Sequence, residues 1–439
     1  GRGRGVTGML ISGAHVLDPR SGLDGPHDVL VRDGEIAELG APGALEAPAG
    51  VETVAGEGRH LFPAFVDPHV HLRVPGQEHK EDLASGTAAA AAGGFCAVIA
   101  MPNTDPTIDN ASVLGSVREL AEREARVRVE FLAAITRGLE GRDLTEMAEL
   151  RGAGAVGFTD DGLPVTSAGL LRRALQYQRL CGGVIALHEE DPALSGAGVM
   201  HEGEVSALLG MAGIPSISES TMIGRDAQIA AYEDARIHVQ HLSAVESVGA
   251  VAAAKAAGVR ISAEASPHHL LLTDEVLREE ELHTRFKMNP PLRSERDRQA
   301  LIEGLRDGTI DCVATDHAPH ANHEKEVPFE EAPMGTTGLE TAFAALYTDL
   351  VVPGVLGLEL VLERMTAGAA LFDLPTPRVA AGEPANLVLV DLDAEWQAGE
   401  SGWESKSENS SFAGRTLRGR VLLTLAGGDI AFRRMEVAA

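Results

Sequence analysis

Eight short apolar runs occupy the middle of this chain, and segments of helical character separate them. We predict strands over residues 61–70, 95–101, 127–135, 155–159, 184–188, 237–241, 259–265 and 310–315. The predicted helices include residues 82–92, 112–126, 167–180, 244–257 and 294–306. Eight β units that alternate with helices predict an α/β fold, a parallel sheet closed as a (β/α)8 TIM barrel. A doubly wound open sheet has the same alternation and stays open as an alternative.

Both ends of the chain contain strand-like runs without intervening helices. Short apolar runs separated by Gly, Asp and Pro occupy residues 9–59, and similar runs return at 386–390 and 420–425. We therefore predict a small flanking β-domain formed from both termini. The predicted divisions are residues 1–58 and 376–439 for the β-domain and 59–375 for the barrel.

The composition argues against several classes of partner. The formal net charge of the 439 residues is −28, so attraction to nucleic acid or to anionic lipid is not expected. No apolar run approaches the roughly 20 residues that a membrane span needs. Cys96, Cys181 and Cys312 lie far apart and form no C-x-x-C pair, so we predict no disulfide framework. We expect a cytoplasmic protein with no nucleic-acid or membrane partner.

Histidines and aspartates fall where the predicted strands end. Because the carboxyl ends of barrel strands meet at one rim, these side chains are expected to converge. His69 and His71 are two positions apart and therefore point the same way on a strand. Imidazole and carboxylate suit zinc and similar ions, so the rim is predicted to bind metal. The strand-end residues are His69, His71, Asp160, Asp161, His188, His241 and Asp316.

Longer motifs carry a resemblance to a known family. They are HVHLRVPG at 69–76, MPNT at 101–104, GFTDDG at 157–162, HEG at 201–203, SPHHLL at 266–271, MNPPLR at 288–293, ATDHAPH at 314–320 and GLET at 338–341. In this order they resemble the amidohydrolase superfamily and, within it, the class I bacterial dihydroorotases. The resemblance covers nearly the whole chain. It implies reversible hydrolysis of the cyclic amide of dihydroorotate to carbamoyl aspartate, in pyrimidine biosynthesis.

The resemblance also implies a ligand set for one or two Zn2+ ions per subunit. His69, His71 and Asp316 would bind one ion, and His188 and His241 would bind the second. Many members of the superfamily bridge the ions with a carboxylated lysine on the fourth strand, where this chain has none. The bridging role would fall on Asp161, with Asp160 as the alternative. Asp316 would also act as the catalytic base and then as the acid.

Recognition of the substrate is implied for a second group of residues. Arg73 suits a substrate carboxylate, because a guanidinium pairs with a carboxylate through two parallel hydrogen bonds. Asn103 and Asn289 stand beside prolines and taken alone would be turn residues. The Glu- and Lys-rich segment 321–333 is predicted to be mobile. The implied substrate-binding residues are Arg73, Asn103, Asn289, His320, Met334 and Gly335.

Two other functions are compatible with parts of the pattern. A hydantoinase or allantoinase acts on rings without a carboxylate, so Arg73 and Asn103 argue against it. A non-catalytic homologue that serves as a structural partner of aspartate carbamoyltransferase is expected to lack metal ligands, whereas every ligand position here is filled. For the catalytic form we expect a homo-oligomer, and assembly with aspartate carbamoyltransferase stays open.

Overall fold

Two eight-stranded sheets organise the protein, whose computed structural model describes residues 8–434. The strands before the barrel are β1 Met9–Asp18, β2 Leu23–Arg32, β3 Glu35–Gly40, β4 Glu52–Ala55 and β5 His60–Pro63. The barrel begins with β6 Phe65–Val70, β7 Phe95–Ala100, β8 Arg128–Ala133, β9 Gly157–Phe158 and β10 Val184–Leu187. After a short parallel pair, β11 Met200–His201 and β12 Gly213–Ile214, the barrel continues with β13 Ile237–Val239, β14 Ile261–Ala265 and β15 Cys312–Val313. The last strands are β16 Leu387–Gln397, β17 Thr416–Ala426 and β18 Asp429–Arg433.

The barrel strands are parallel and follow one another around the sheet in chain order. The first and last strands meet through a parallel bridge between Val70 and His317, where the His71 N–H donates to the His317 carbonyl at 2.8 Å. A ring of strands with these neighbours is a closed barrel, which confirms the predicted TIM barrel over the doubly wound sheet.

The helices pack around the barrel and fill the connections between its strands. They are α1 Leu83–Ala92, α2 Ala111–Glu124, α3 Met147–Gly152, α4 Ala168–Cys181, α5 Pro192–Ser195, α6 Glu204–Leu209, α7 Ile217–Glu233 and α8 Val245–Ala256. The remainder are α9 Pro267–Leu271, α10 Glu275–Glu279, α11 Glu295–Asp307, α12 Asn322–Lys325, α13 Ala342–Leu346, α14 Leu358–Thr366 and α15 Gly368–Leu371. Two 3-10 turns, Arg137–Leu139 and Thr284–Phe286, and a π turn, Tyr347–Val351, complete the set. Within residues 8–434, no helix combines the length and apolarity needed to cross a membrane.

Local sequence explains where several helices begin. Asp82 and Ser294 cap α1 and α11 in reciprocal capping boxes with Ser85 and Asp297. Helix α1 is largely alanine and is buried on nearly every side, because it lies between β7 of the barrel and β17 and β18 of the other sheet. Small side chains let the two sheets approach closely at this helix.

The second sheet combines strands from both ends of the chain. Its order is β18, β17, β16, β5, β1, β2 and β3, with β4 beside β1. The two ends join where β5 and β16 pair antiparallel. A separate apolar cluster, which includes Ile11, Ile36 and Leu389, fills this sheet. The predicted flanking β-domain from both termini is confirmed, while the predicted bounds of each domain stay predictions.

The predicted single strand over residues 61–70 is wrong, because the chain changes sheets in the middle of that run. The Ala64 N–H donates to the carbonyl of Asn386 in the flanking sheet at 3.0 Å. The next N–H, of Phe65, donates to Gly94 beside the barrel at 2.9 Å. The apolar run is continuous because both strands are buried, so hydropathy alone does not mark the change of partner.

Candidate metal centre and carboxylate pocket

Six buried side chains converge at the carboxyl-end rim of the barrel. Three overlapping groups place potential ligand atoms within 4.8 Å of one another. The groups are His69, His71 and Asp161; His69, His241 and Asp316; and Asp161, His188 and His241. The structure therefore brings together the whole predicted ligand set, whose members lie in or shortly after β6, β9, β10, β13 and β15.

Asp161 lies between two pairs of imidazole nitrogens. Its Oδ2 is 3.3 Å from His69 Nε2 and 3.2 Å from His71 Nε2. Its Oδ1 is 3.6 Å from His241 Nε2 and 3.8 Å from His188 Nδ1, and this buried oxygen has no hydrogen-bond partner. A carboxylate with one oxygen toward each pair is suited to bridge two ions.

The neighbouring Asp160 is turned away from this cluster. Its carboxylate accepts hydrogen bonds from the N–H groups of Ile135 at 2.8 Å and Thr136 at 2.9 Å, and from the Thr136 hydroxyl. These bonds tie the end of β9 to the end of β8. Of the two adjacent aspartates, only Asp161 occurs in the potential ligand groups of the described residues, where it belongs to two of the three.

Polar partners fix the orientation of His69 and His71. The Nδ1–H of His69 donates to Glu264 Oε1 at 2.6 Å, and that of His71 donates to Asn103 Oδ1 at 2.9 Å. Each ring therefore turns its Nε2 toward the cluster, the orientation that a metal-ligating histidine requires. Glu264 was not among the predicted site residues, although a carboxylate inside the buried strand β14 indicates a polar partner in the barrel. The predicted contact of Asn103 with substrate stays a prediction.

His188 is oriented in the opposite sense, with Nδ1 toward the cluster. Its Nε2–H donates to Glu190 Oε2 at 2.9 Å, and the same oxygen accepts from Asn289 Nδ2 at 2.8 Å. The bare Nδ1 lies 3.0 Å from His241 Nε2. Glu190, which lies two positions after His188, was not predicted either. Asn289 lies at this edge of the site, and its predicted contact with substrate also stays a prediction.

The charge balance of the cluster favours a cation. Burial lowers the pKa of His69, but the charges of Asp161 and Glu264 outweigh burial and raise that pKa well above its usual value. Burial alone raises the pKa of Asp316, yet the charge of His69 and the hydrogen bond with His71 lower it overall. The raised pKa of His69 shows that these carboxylates favour positive charge in the cluster, so both the donor set and the charge fit divalent metal ions.

Backbone strain is concentrated at the same rim. Arg73, His241 and Asp316 have φ values of 62°, 32° and 48°. Residues other than glycine seldom adopt this left-handed region, and such conformations persist where surrounding structure holds them. Three of the predicted site residues adopt this conformation, which supports a functional role for the rim.

Arg73, His320, Met334 and Gly335 form a second group of residues, which we call the carboxylate pocket after the substrate carboxylate that Arg73 is predicted to bind. Arg73 Nε donates to the Pro319 carbonyl at 3.1 Å, and Arg73 Nη2 lies 3.4 Å from His320 Nε2. Burial lowers the pKa of Arg73 to about 10, which leaves it charged at neutral pH. Burial and the charge of Arg73 lower the pKa of His320 to about 2, so its ring is neutral.

The far wall of the carboxylate pocket is backbone. His320 Nε2–H donates to the Met334 carbonyl at 2.9 Å, which leaves His320 Nδ1 buried without a partner. Gly335 has φ 151°, and a Cβ there would lie 2.9 Å from His320 Cδ2 and 2.8 Å from the Ala318 carbonyl. Glycine is therefore the residue that this close approach permits.

Known proteins resemble this chain in sequence and in fold. Family models described as Dihydro-orotase-like and Amidohydrolase family match residues 58–247 and 219–431. A dihydroorotase from Anaeromyxobacter sp. (strain K) is 45% identical over 423 residues, which are 96% of this chain and 97% of that protein. A dihydroorotase from Pelotomaculum thermopropionicum is 43% identical over 97% of this chain and 98% of its own length. The solved structure of an L-hydantoinase from Arthrobacter aurescens superposes with a TM-score of 0.86 at 26% identity, covering 98% of this chain and 97% of that one.

Proposed function

Because this chain belongs to the dihydroorotase family, we propose that it hydrolyses the cyclic amide of dihydroorotate reversibly to carbamoyl aspartate, in pyrimidine biosynthesis. The observation that carries the proposal is the shared rim: Arg73 stands two residues after His71, and the charge of Asp316 acts on it. A hydrolytic cluster and a site for a carboxylate are thus side by side. We also place the enzyme in the class I bacterial group, on the motifs quoted above.

We assign His69, His71 and Asp316 to one metal ion, His188 and His241 to a second, and Asp161 to both. The overlapping ligand groups support this division. Zinc is the proposed metal, because four imidazoles and two carboxylates form a nitrogen and oxygen set that zinc accepts readily. Bound divalent ions would lower the pKa of water and polarise an amide carbonyl.

Asp316 is the proposed proton carrier. Its lowered pKa keeps the carboxylate ionised at neutral pH, as a base requires. In the hydrolytic direction, water attacks the ring amide carbon while Asp316 takes its proton. The ring C–N bond then breaks, and Asp316 returns the proton to the departing nitrogen. The reverse reaction uses the same steps in the opposite order.

We assign Arg73 to the ring carboxylate of the substrate. Within residues 8–434, the hydrogen bonds of the Arg73 guanidinium go to the Pro319 carbonyl and to His320 and not to a carboxylate, so it can still pair with a carboxylate of the ligand. His320, Asn103, Asn289 and the backbone at 334–335 would complete the contacts to the carboxylate and ring amide. A homo-oligomer, an assembly with aspartate carbamoyltransferase and a cytoplasmic location stay predictions.

A cyclic amidase for rings without a carboxylate is the second candidate, favoured by the likeness in fold to hydantoinases. The dihydroorotase relatives are more similar in sequence, and Arg73 would have no anion to pair with in such a ring. Burying a charged group without a partner costs free energy. A substrate ring without a carboxylate would therefore leave the buried guanidinium of Arg73 unexplained.

A substrate panel with one variant tests the assignment. We expect purified protein to open dihydroorotate and to leave hydantoin and allantoin largely unchanged. Arg73→Ala should raise KM for dihydroorotate by roughly 10- to 100-fold, since a charged hydrogen-bonded pair is lost. Arg137→Ala removes an exposed arginine paired with Glu146 and serves as the control. Opening of hydantoin by a protein that leaves dihydroorotate intact would contradict the proposal.

A further inference from the structure

We propose that Asn409, in the loop between β16 and β17, is a positioning residue for the carboxylate pocket. This inference rests on the proposed function, because it assigns a task to a residue that lies outside the barrel. The loop spans residues 398–415, leaves the flanking sheet and lies against the rim of the barrel. Asn409 is 6% exposed and reaches the two segments that carry His320 and Gly335.

The side-chain amide of Asn409 joins both walls of the pocket. Its Oδ1 accepts a hydrogen bond from the His320 N–H at 3.0 Å. Its Nδ2 donates to the Ala318 carbonyl and to the Gly335 carbonyl, each at 3.1 Å. One acceptor and two donors are all used, and the backbone partners fix which end of the amide is oxygen. A side chain with only acceptors or only donors could not make this set.

The backbone of Asn409 strengthens the same connection. Its carbonyl accepts from the Thr336 hydroxyl at 3.1 Å and from the Thr337 N–H at 3.3 Å. The segment after β15 and the segment around Gly335 are therefore held through one residue of a distant loop. Any shift of Asn409 would change the distance between His320 and the backbone that faces it.

The loop itself is anchored on the other side of the rim. The Ser407 hydroxyl donates to the Lys80 carbonyl at 2.6 Å, and the Lys406 N–H donates to Glu81 Oε1 at 3.1 Å. These two hydrogen bonds hold the residues just before Asn409 against the segment around Lys80 and Glu81. None of the hydrogen bonds that Asn409 makes within residues 8–434 ends on a proposed metal ligand. Its influence should therefore fall on binding of the substrate and not on retention of metal.

The test compares Asn409→Ala and Asn409→Asp with Glu408→Gln, a control at an exposed residue of the same loop. For each protein, KM and kcat are measured with dihydroorotate and with carbamoyl aspartate, together with bound metal and Tm. We expect both Asn409 variants to raise KM about tenfold in both directions, because buried hydrogen bonds that shape the pocket are lost. The change in kcat should stay within about threefold, with unchanged metal content. Glu408→Gln should keep the wild-type KM.

Asn409→Asp keeps the size of the side chain and the acceptor for the His320 N–H. It places an anionic oxygen against two carbonyls, so the variant tests the donors even if Asn409→Ala does not fold. Wild-type KM in Asn409→Asp would overturn the inference, and so would a loss of metal with an equal loss of kcat at unchanged KM. A wild-type protein that leaves dihydroorotate unchanged would instead overturn the proposed function itself.

Discussion

At the scale of single residues, the adjacent Asp160 and Asp161 have different surroundings. Successive side chains at the end of a strand point in opposite directions, so one of the pair faces the cluster and the other faces the neighbouring strand. The sequence predicts that an aspartate here serves as the bridging ligand. The direction of each carboxylate depends on the backbone at β9, which periodicity does not resolve to one residue.

The same change made at each aspartate should have different effects. Asp161→Asn should lower the bound metal and reduce dihydroorotate turnover by roughly 100-fold or more, because the shared anionic ligand is lost. Asp160→Asn should retain the metal and lower Tm by a few degrees, since it disturbs hydrogen bonds to Ile135 and Thr136. Metal analysis and thermal unfolding separate the two outcomes. Loss of metal in Asp160→Asn with retention in Asp161→Asn would reverse the assignment.

Residues that orient the site were harder to predict than the residues that line it. The ligand histidines end apolar runs, so their position on the rim follows from the strand pattern. Glu264 acts through a hydrogen bond to His69, and this pairing depends on how strands from distant parts of the chain pack. Glu190 lies only two residues after His188, but the strand pattern does not predict that the chain beyond β10 turns its carboxylate toward that ring. Asn409 carries no local signal at all, because its partners lie 72 or more residues away.

At the scale of helices and strands, apolar periodicity and capping residues predicted the positions of five helices. Helices α1, α2, α4, α8 and α11 are confirmed within two residues of their predicted ends. The 17-residue α7 was missed because its buried face includes Ser218, Glu219 and Asp226, which breaks the apolar stripe of a typical helix. A tertiary contact satisfies Glu219, which accepts from the Ser243 N–H at 2.9 Å, and Asp226 accepts from the neighbouring Arg225 at 2.6 Å.

A buried lysine, Lys325, holds the loop 321–333, which contains α12, through hydrogen bonds. Lys325 Nζ donates to the carbonyls of Thr284 at 3.0 Å, Lys287 at 3.2 Å and Pro333 at 2.8 Å. Burial, with the charge of Lys287 adding to it, lowers the pKa of Lys325 from 10.5 to about 7. Within residues 8–434, the hydrogen bonds of the ammonium all go to backbone carbonyls. The predicted mobility of this loop stays a prediction.

The lowered pKa of Lys325 should make the free energy of unfolding depend on pH. The unfolded state keeps the proton of Lys325 up to about pH 10.5, whereas the folded state releases it near pH 7. Between these values the unfolded state binds more protons, so the free energy of unfolding rises with pH. Relative to Lys325→Met, the wild type should therefore gain stability from about pH 7 to about pH 10 in urea unfolding. A difference that does not vary with pH would contradict this account.

At the scale of the whole molecule, the two sheets contribute separate parts of one site. The barrel supplies the proposed metal ligands, and the loop between β16 and β17 contacts the backbone of the carboxylate pocket. Hydropathy predicted both sheets and the union of the termini. It could not predict that residues 398–415 return to the barrel, because that contact combines single hydrogen bonds with a small apolar cluster around Phe412, and neither follows a strand or helix period.

The central claim is that metal bound at this rim makes the chain a dihydroorotase, and a reconstitution tests it most directly. Protein depleted of metal by a chelator is titrated with zinc, and dihydroorotate hydrolysis is measured at each addition. The account predicts negligible turnover without metal and activity that rises and saturates at no more than two zinc ions per subunit. Full turnover by the depleted protein, or none after zinc is restored, would contradict it.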